Sequence, residues 1–171
     1  MIRIFEFDRH REERGCIYTF FDQRQIQDVE FVQDKVSVSY KGVVRGFHGD
    51  DKTWKLITCL HGACQLVVYD VDNDTRETIT LRGDADKHHD RQLSVLVPPR
   101  HLNGHQSLTD KCIFLYKWSE FYAGPAAQWS VNYSDETIKP KWPLCPTKVS
   151  CRDKWAPTLK EFRRTLDHPT L

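Results

Sequence analysis

At 171 residues, 39% of them hydrophobic, the chain is long enough to form one domain over residues 1–171 with a sizeable core. Lys and Arg total 25 against 24 Asp and Glu, a net charge of +1, and no block of five like charges occurs, so the electrostatic footprint of a nucleic-acid binder is missing. The opening MIRIFEFDRHREERG has no apolar stretch long enough for a signal peptide and no transmembrane run follows, which predicts a cytoplasmic protein without a membrane partner.

Residues 1–15 read as a short charged segment ending in Arg14-Gly15, with Arg14 a surface charge by pattern alone. CIYTFF, at 16–21, alternates aromatic and β-branched residues and predicts a strand. FVQDKVSVSY (Phe31–Tyr40) alternates cleanly at its end, and Lys41-Gly42 turns it into VVRGFHGD. LITCL and ACQLVVYDV are strand-forming runs separated by His61-Gly62, which reads as a two-residue hairpin turn. VDNDT is a turn cluster and RETITL a further strand. RGDADKHHDRQ is a polar loop; its adjacent His88 and His89 cannot turn both rings to one metal from a regular strand and read as solvated.

LSVLVPP is a strand stopped by prolines, and RHLNGHQSLTD a loop carrying His101 and His105. KCIFLYKWSEFY is strongly β-forming, with Cys112, Phe114, Tyr116 and Trp118 on one face; Glu120 and Tyr122 join that face if the alternation persists. QWSVNY predicts one more strand, and IKPKWPLCPT cannot be regular structure. Pro157–Leu166 alone reads as helical, with Thr158 as cap and Leu159, Phe162 and Leu166 at helical spacing. The six cysteines (Cys16, Cys59, Cys64, Cys112, Cys145, Cys151) form no C-x-x-C pair and read as reduced core residues, neither a disulfide framework nor a zinc site. Short strands at close intervals and one terminal helix predict an all-β antiparallel sandwich or barrel.

The chemically dense stretch is Val43–Leu60, VVRGFHGDDKTWKLITCL. In period 2, Trp54, Leu56, Thr58 and Leu60 share one face and Lys55, Ile57 and Cys59 the other. A lysine beside Ile and Cys is either an edge gatekeeper or a charge placed inside a pocket. The candidate acid–base groups are His48, Lys55, His105, Asp153 and the tyrosines of 116–122. One reading makes His48 and His105 metal ligands, but the H-x-H pair with a nearby carboxylate common in jelly-roll metal sites is missing. The other makes one histidine a general base, its ring held by a carboxylate, with a lysine as electrostatic partner.

RGFH followed by KLITCLHG, PPRHLNGH, YKWSEFY, IKPKWP and VSCRD resembles, in order and from about Arg14 to Pro157, the dTDP-4-dehydrorhamnose 3,5-epimerase family of cupins. The form RGFHGDDKTWKL is most similar to the branch acting on GDP-linked 6-deoxy-4-keto-heptoses. The resemblance implies a cupin jelly-roll, a cytoplasmic homodimer with N-terminal strand exchange, a nucleotide-sugar substrate, and no cofactor or metal. It implies that His48 removes a proton next to the C4 ketone, that Asp153 orients the imidazole, and that Lys55 stabilises the enolate. Tyr122 would return a proton from the opposite face, with Tyr116 as fallback acid. Arg45 and Arg14 would contact substrate, Arg14 by gripping the diphosphate across the dimer interface. Gln33, Lys35 and His105 complete the expected substrate-binding set.

The chain departs from the family pattern in three places. Glu12 and Glu13 precede Arg14-Gly15 where the family often has D-x. In the Gln-x-Asn-x-Ser element, here Gln33 to Ser37, Lys35 replaces the Asn. The loop after His48 is the short GDDKTW. These changes bear on base and sugar preference rather than on reaction class. A 3,4-ketoisomerase and a non-catalytic carbohydrate-binding cupin are the alternative functions.

Overall fold

Side-chain alternation decides the architecture of the computed structural model, which describes residues 1–84 and 90–167. Eleven strands among these residues form two antiparallel sheets. The first is ordered β2 (Gly15–Tyr18), β1 (Arg3–Glu12), β8 (Arg91–Val97), β5 (Lys55–His61), β10 (Lys111–Trp118), β3 (Gln33–Tyr40). The second is ordered β11 (Trp129–Ser130), β4 (Val44–Gly49), β9 (His101–Ser107), β6 (Ala63–Asp70), β7 (Thr75–Arg82). This is the expected cupin jelly-roll. Between the sheets pack Ile57 and Cys59 of β5, Leu66 and Val68 of β6, Val95 of β8 and Phe114 of β10.

The outer faces are covered as well. Leu56 and Leu96 lie under Ile26 and Val29 of the 19–32 segment. Val67, Tyr69 and Leu102 lie under Ile138, Leu159 and Phe162. The proline-rich 139–147 segment is irregular, as expected, and lies against the second sheet: Gln65 Nε2 donates to the Pro140 carbonyl, and Gln106 bonds both backbone groups of Leu144. The C-terminal helix α2 (Leu159–Asp167) starts in a capping box. Glu161 N donates to Thr158 Oγ1, and Thr158 N donates back to Glu161 Oε2. A short helix α1 (Cys151–Lys154), absent from the sequence reading, is capped by Ser150.

Several expectations need correction. His61-Gly62 is not a hairpin turn: β5 pairs with β8 and β10, whereas β6 pairs with β7 and β9. The chain turns a corner there from one sheet to the other. Gly62 has φ +72°, and a Cβ would stand 2.1 Å from the Lys111 carbonyl oxygen, so only glycine fits the corner. Residues 1–15 contain a ten-residue strand, β1, whose alternation is masked because Arg9 shares the buried face with Phe7. Arg9 is buried there because the carbonyls of Arg82 and Gly83 and the Gln92 amide oxygen accept from its guanidinium. HLNGHQS is not loop but β9, fully buried: Asn103 and His105 face the space between the sheets and Gln106 the 139–147 segment, so both faces carry polar residues and periodicity cannot flag the strand.

CIYTFF is strand only to Tyr18, and QWSVNY only at Trp129–Ser130. Of the cysteines, Cys59, Cys64 and Cys112 are buried, while Cys145 and Cys151 are exposed and Cys16 is in between, so only half sit in the core. His88 and His89 lie outside the described residues.

Candidate active site

β4 brings the first chemical groups into the barrel mouth. Arg45 and His48 are three positions apart, so an unbroken strand would put them on opposite faces. In the β4–β9 ladder Arg45 pairs with His105 and His48 with Asn103, so β4 carries one extra residue in that interval. This bulge lets both side chains line one cavity of about 540 Å³. Gly46, in the bulge, has φ +118° and lies so close to β9 that a Cβ would stand 2.5 Å from Gly104 Cα.

His48 Nε2 donates to Asp153 Oδ1 at 2.7 Å, which leaves Nδ1 as the basic nitrogen of the neutral ring. Asp153 is held by its place in α1, with its N–H on Ser150 Oγ, and its second oxygen accepts from Gly46 N at 3.1 Å. Burial pulls its carboxyl upward, but the His48 bond and charge together with the Gly46 and Ser150 contacts hold it below the usual carboxylate range. The Asp153 side chain is nearly buried and the His48 ring partly open to the cavity.

Lys55 resolves the choice between gatekeeper and pocket charge. β5 is flanked by β8 and β10, so it is no edge, and Lys55 is 2% exposed yet lines the cavity. Its Nζ donates to Asn103 Oδ1 at 3.3 Å and stands 5.2 Å from the Trp118 ring centroid. Burial pushes its pKa down to about 8, with Asp50 pulling it partly back.

Tyr122 does not extend the β10 alternation, because the strand ends at Trp118, where Trp54 N donates to Ser119 Oγ and Ser119 N to the Trp54 carbonyl. It reaches the cavity from the following loop, held by its own N–H donating to Gln33 Oε1 at 2.8 Å and by an edge contact with Trp118. Lys35 Nζ lies 3.2 Å from the Tyr122 ring centroid. Tyr116 is also in the cavity wall, deeper on β10, and burial pushes its phenol well above its ordinary value.

Cations dominate the lining. Lys35, Arg45, Lys55, Lys148 and Arg152 face it against one acid, Asp153. Ser37 Oγ, Arg152 Nη2 and Trp118 Nε1 are buried without a hydrogen-bond partner, so polar capacity in the cavity wall is unfilled. Such a cavity suits an anionic, oxygen-rich ligand. Lys148 and Arg152 escaped the sequence reading; Arg152 adjoins Asp153, and that adjacency was the one available signal.

The remaining expected residues are distributed differently. Arg45 lies at the mouth, its Nε donating to Ser39 Oγ. Gln33 is not in the cavity lining but bonds the Tyr122 backbone. His105 is buried beneath the cavity, stacked on Phe114 with ring centroids 4.0 Å apart, and burial pushes its pKa down to about 4. Arg14 projects from the β1–β2 turn, paired with Glu12, and is not among the cavity residues. Among the described residues no three metal-donor side chains gather around His48.

Residues 2–161 match the protein-family model described as dTDP-4-dehydrorhamnose 3,5-epimerase. The enzyme of that name from Escherichia coli (strain K12) is 32% identical over 165 residues, 90% of this chain and 86% of its own. A 3'-monoepimerase from Streptomyces bikiniensis, solved with dTDP-quinovose, superimposes with a TM-score of 0.85 at 27% identity, covering 95% of this chain and 86% of that one. A dTDP-6-deoxy-D-glucose-3,5-epimerase from Legionella pneumophila, solved with dTDP-4-keto-L-rhamnose, gives 0.82 at 26% identity over 93% and 88% of the two chains.

Proposed function

The chain belongs to the dTDP-4-dehydrorhamnose 3,5-epimerase family, and from that premise we propose that this sugar-nucleotide epimerase inverts C3, C5 or both of a nucleotide-diphosphate 4-keto-6-deoxy sugar. The observation that carries the reading is the His48–Asp153 pair in the wall of a cationic cavity that also holds a buried lysine and a tyrosine.

A C4 ketone acidifies the hydrogens on its neighbouring carbons. His48 Nδ1 takes one, and the imidazolium is charge-balanced by Asp153, already ionised in the folded protein. The negative charge moves to the C4 oxygen, which Lys55, itself buried, meets as a fixed cation. Tyr122 delivers a proton from the other side. Inversion requires two groups, because a single one restores the original configuration. Arg45, Lys148 and Arg152 supply charge for the diphosphate. Gln33 acts as a positioning residue for Tyr122.

We assign the nucleotide as GDP and the sugar as a heptose, on the resemblance of RGFHGDDKTWKL. Lys35, against Tyr122, bears on the sugar rather than the base. The assembly is a homodimer. Val36, Val38 and Tyr40 expose an apolar row on the edge strand β3, and the β1–β2 turn carries Arg14 outward, where a strand-exchanged partner could receive it. Turnover of GDP- and dTDP-linked 4-keto-6-deoxy sugars side by side tests both layers. A clear dTDP preference removes the GDP assignment alone. Full activity in His48→Asn with either substrate removes the mechanism.

A further inference from the structure

We infer that Cys59, Cys64 and Cys112 form a thiolate site for a divalent thiophilic cation such as Zn(II) or Cd(II), at the closed end of the barrel and separate from the catalytic cavity. Their sulfurs all lie within 4.8 Å of one another, and Cys59 and Cys112 are 3.8 Å apart. Zinc–sulfur bonds of about 2.3 Å put sulfurs about 3.8–4.0 Å apart in tetrahedral or trigonal geometry, so little movement is needed.

The fold builds this convergence from three strands of both sheets. The corner at His61-Gly62 folds Cys59 of β5 back near Cys64 of β6, and Cys112 at the start of β10 closes the group. None of the three lines the cavity. Cys112 and Tyr116 are four residues apart on β10, about 13 Å along the strand. The His105–Phe114 stack involves the residue between them on the same face.

The charge balance selects the ion class. In the metal-free protein Cys59 Sγ donates to the His61 carbonyl at 3.2 Å. Binding releases the thiol protons to solvent. Three thiolates around a divalent ion leave a net charge of −1 in an apolar core, whereas a monovalent ion leaves −2, which costs more. The His61 carbonyl, freed of its donor, is an oxygen able to complete the coordination.

The test uses the full chain with Cys16, Cys145 and Cys151 replaced by serine, reduced with a phosphine and titrated with Cd(II). The expected result is one ion per folded chain, a sulfur-to-cadmium charge-transfer band, and a thermal midpoint that rises with Cd(II) concentration. Cys64→Ala should abolish the band. Absence of the band in the folded surface-serine protein overturns the proposal, whatever the core variants do. So does a band that survives Cys64→Ala in protein whose circular dichroism is native. A band seen only with the surface cysteines present is adventitious binding and overturns it equally.

Discussion

Tyr122 and Tyr116 both line the cavity, and the mechanism separates them. Tyr122→Phe removes the hydroxyl and keeps the ring under Lys35 and against Trp118. Proton removal by His48 then continues with return to the same face, so solvent exchange persists while inverted product falls by about 10²–10⁴-fold. Tyr116→Phe should change little, since burial makes its phenol a poor acid. Normal inversion by Tyr122→Phe together with its loss in Tyr116→Phe would exchange the two roles. Lys55 gives a pH signature. The proposed mechanism needs its cation beside the enolate, and its pKa is about 8 in the folded protein, so kcat/KM of the free enzyme should fall as pH rises through about 8. An alkaline limit that survives Lys55→Arg unmoved would assign it to another group.

The same shift bears on stability. The unfolded chain keeps lysine near 10.5, so between about 8 and 10.5 it binds more protons than the folded one, and stability due to Lys55 rises with pH in that window. The charge costs about 3 kcal/mol at neutral pH on this shift. Lys55→Met should therefore raise the melting temperature at pH 7 while abolishing turnover. Parity alone placed Lys55 with Ile57 and Cys59; whether that face met solvent or a cavity depended on β8 and β10 flanking it, which are distant in sequence.

At the level of elements, the bulge in β4 is what joins Arg45 to His48. Gly46→Ala puts a Cβ 2.5 Å from Gly104 Cα at φ +118°. Relieving this moves β4 away from β9 and loosens both the Gly46–Asp153 bond and the His48 ring. Activity should fall more than the melting temperature accounts for, and a variant of full kcat would show that the bulge is not needed for alignment. Such bulges leave no periodic trace in RGFH. The C-terminal helix was legible because Thr158 and Glu161 mark its start chemically. The His61-Gly62 corner was misread because a glycine turn between two apolar runs looks the same whether the runs pair with each other or with strands from elsewhere. β9 was missed for another reason: Asn103, His105 and Gln106 are buried beside partners that only the folded chain supplies.

For the whole molecule, alternation and turn spacing were enough to reach a β-sandwich, and the ordered motifs carried it to a family. The site's composition required the fold, because His48, Lys55, Tyr122 and Asp153 come from β4, β5, a loop and α1. A homodimer should scatter light at twice the mass of the 20.1 kDa chain at assay concentration. A fully active monomer would remove the dimer and leave Arg14 a surface charge.

The central claim is proton removal next to a retained C4 ketone. The direct measurement is incubation of the protein with 4-keto-6-deoxy sugar nucleotides in deuterated water, read by mass and NMR. The expected result is deuterium at C3, C5 or both with the carbonyl still at C4. A carbonyl moved to C3, or no uptake with any GDP- or dTDP-linked 4-keto sugar, would contradict it.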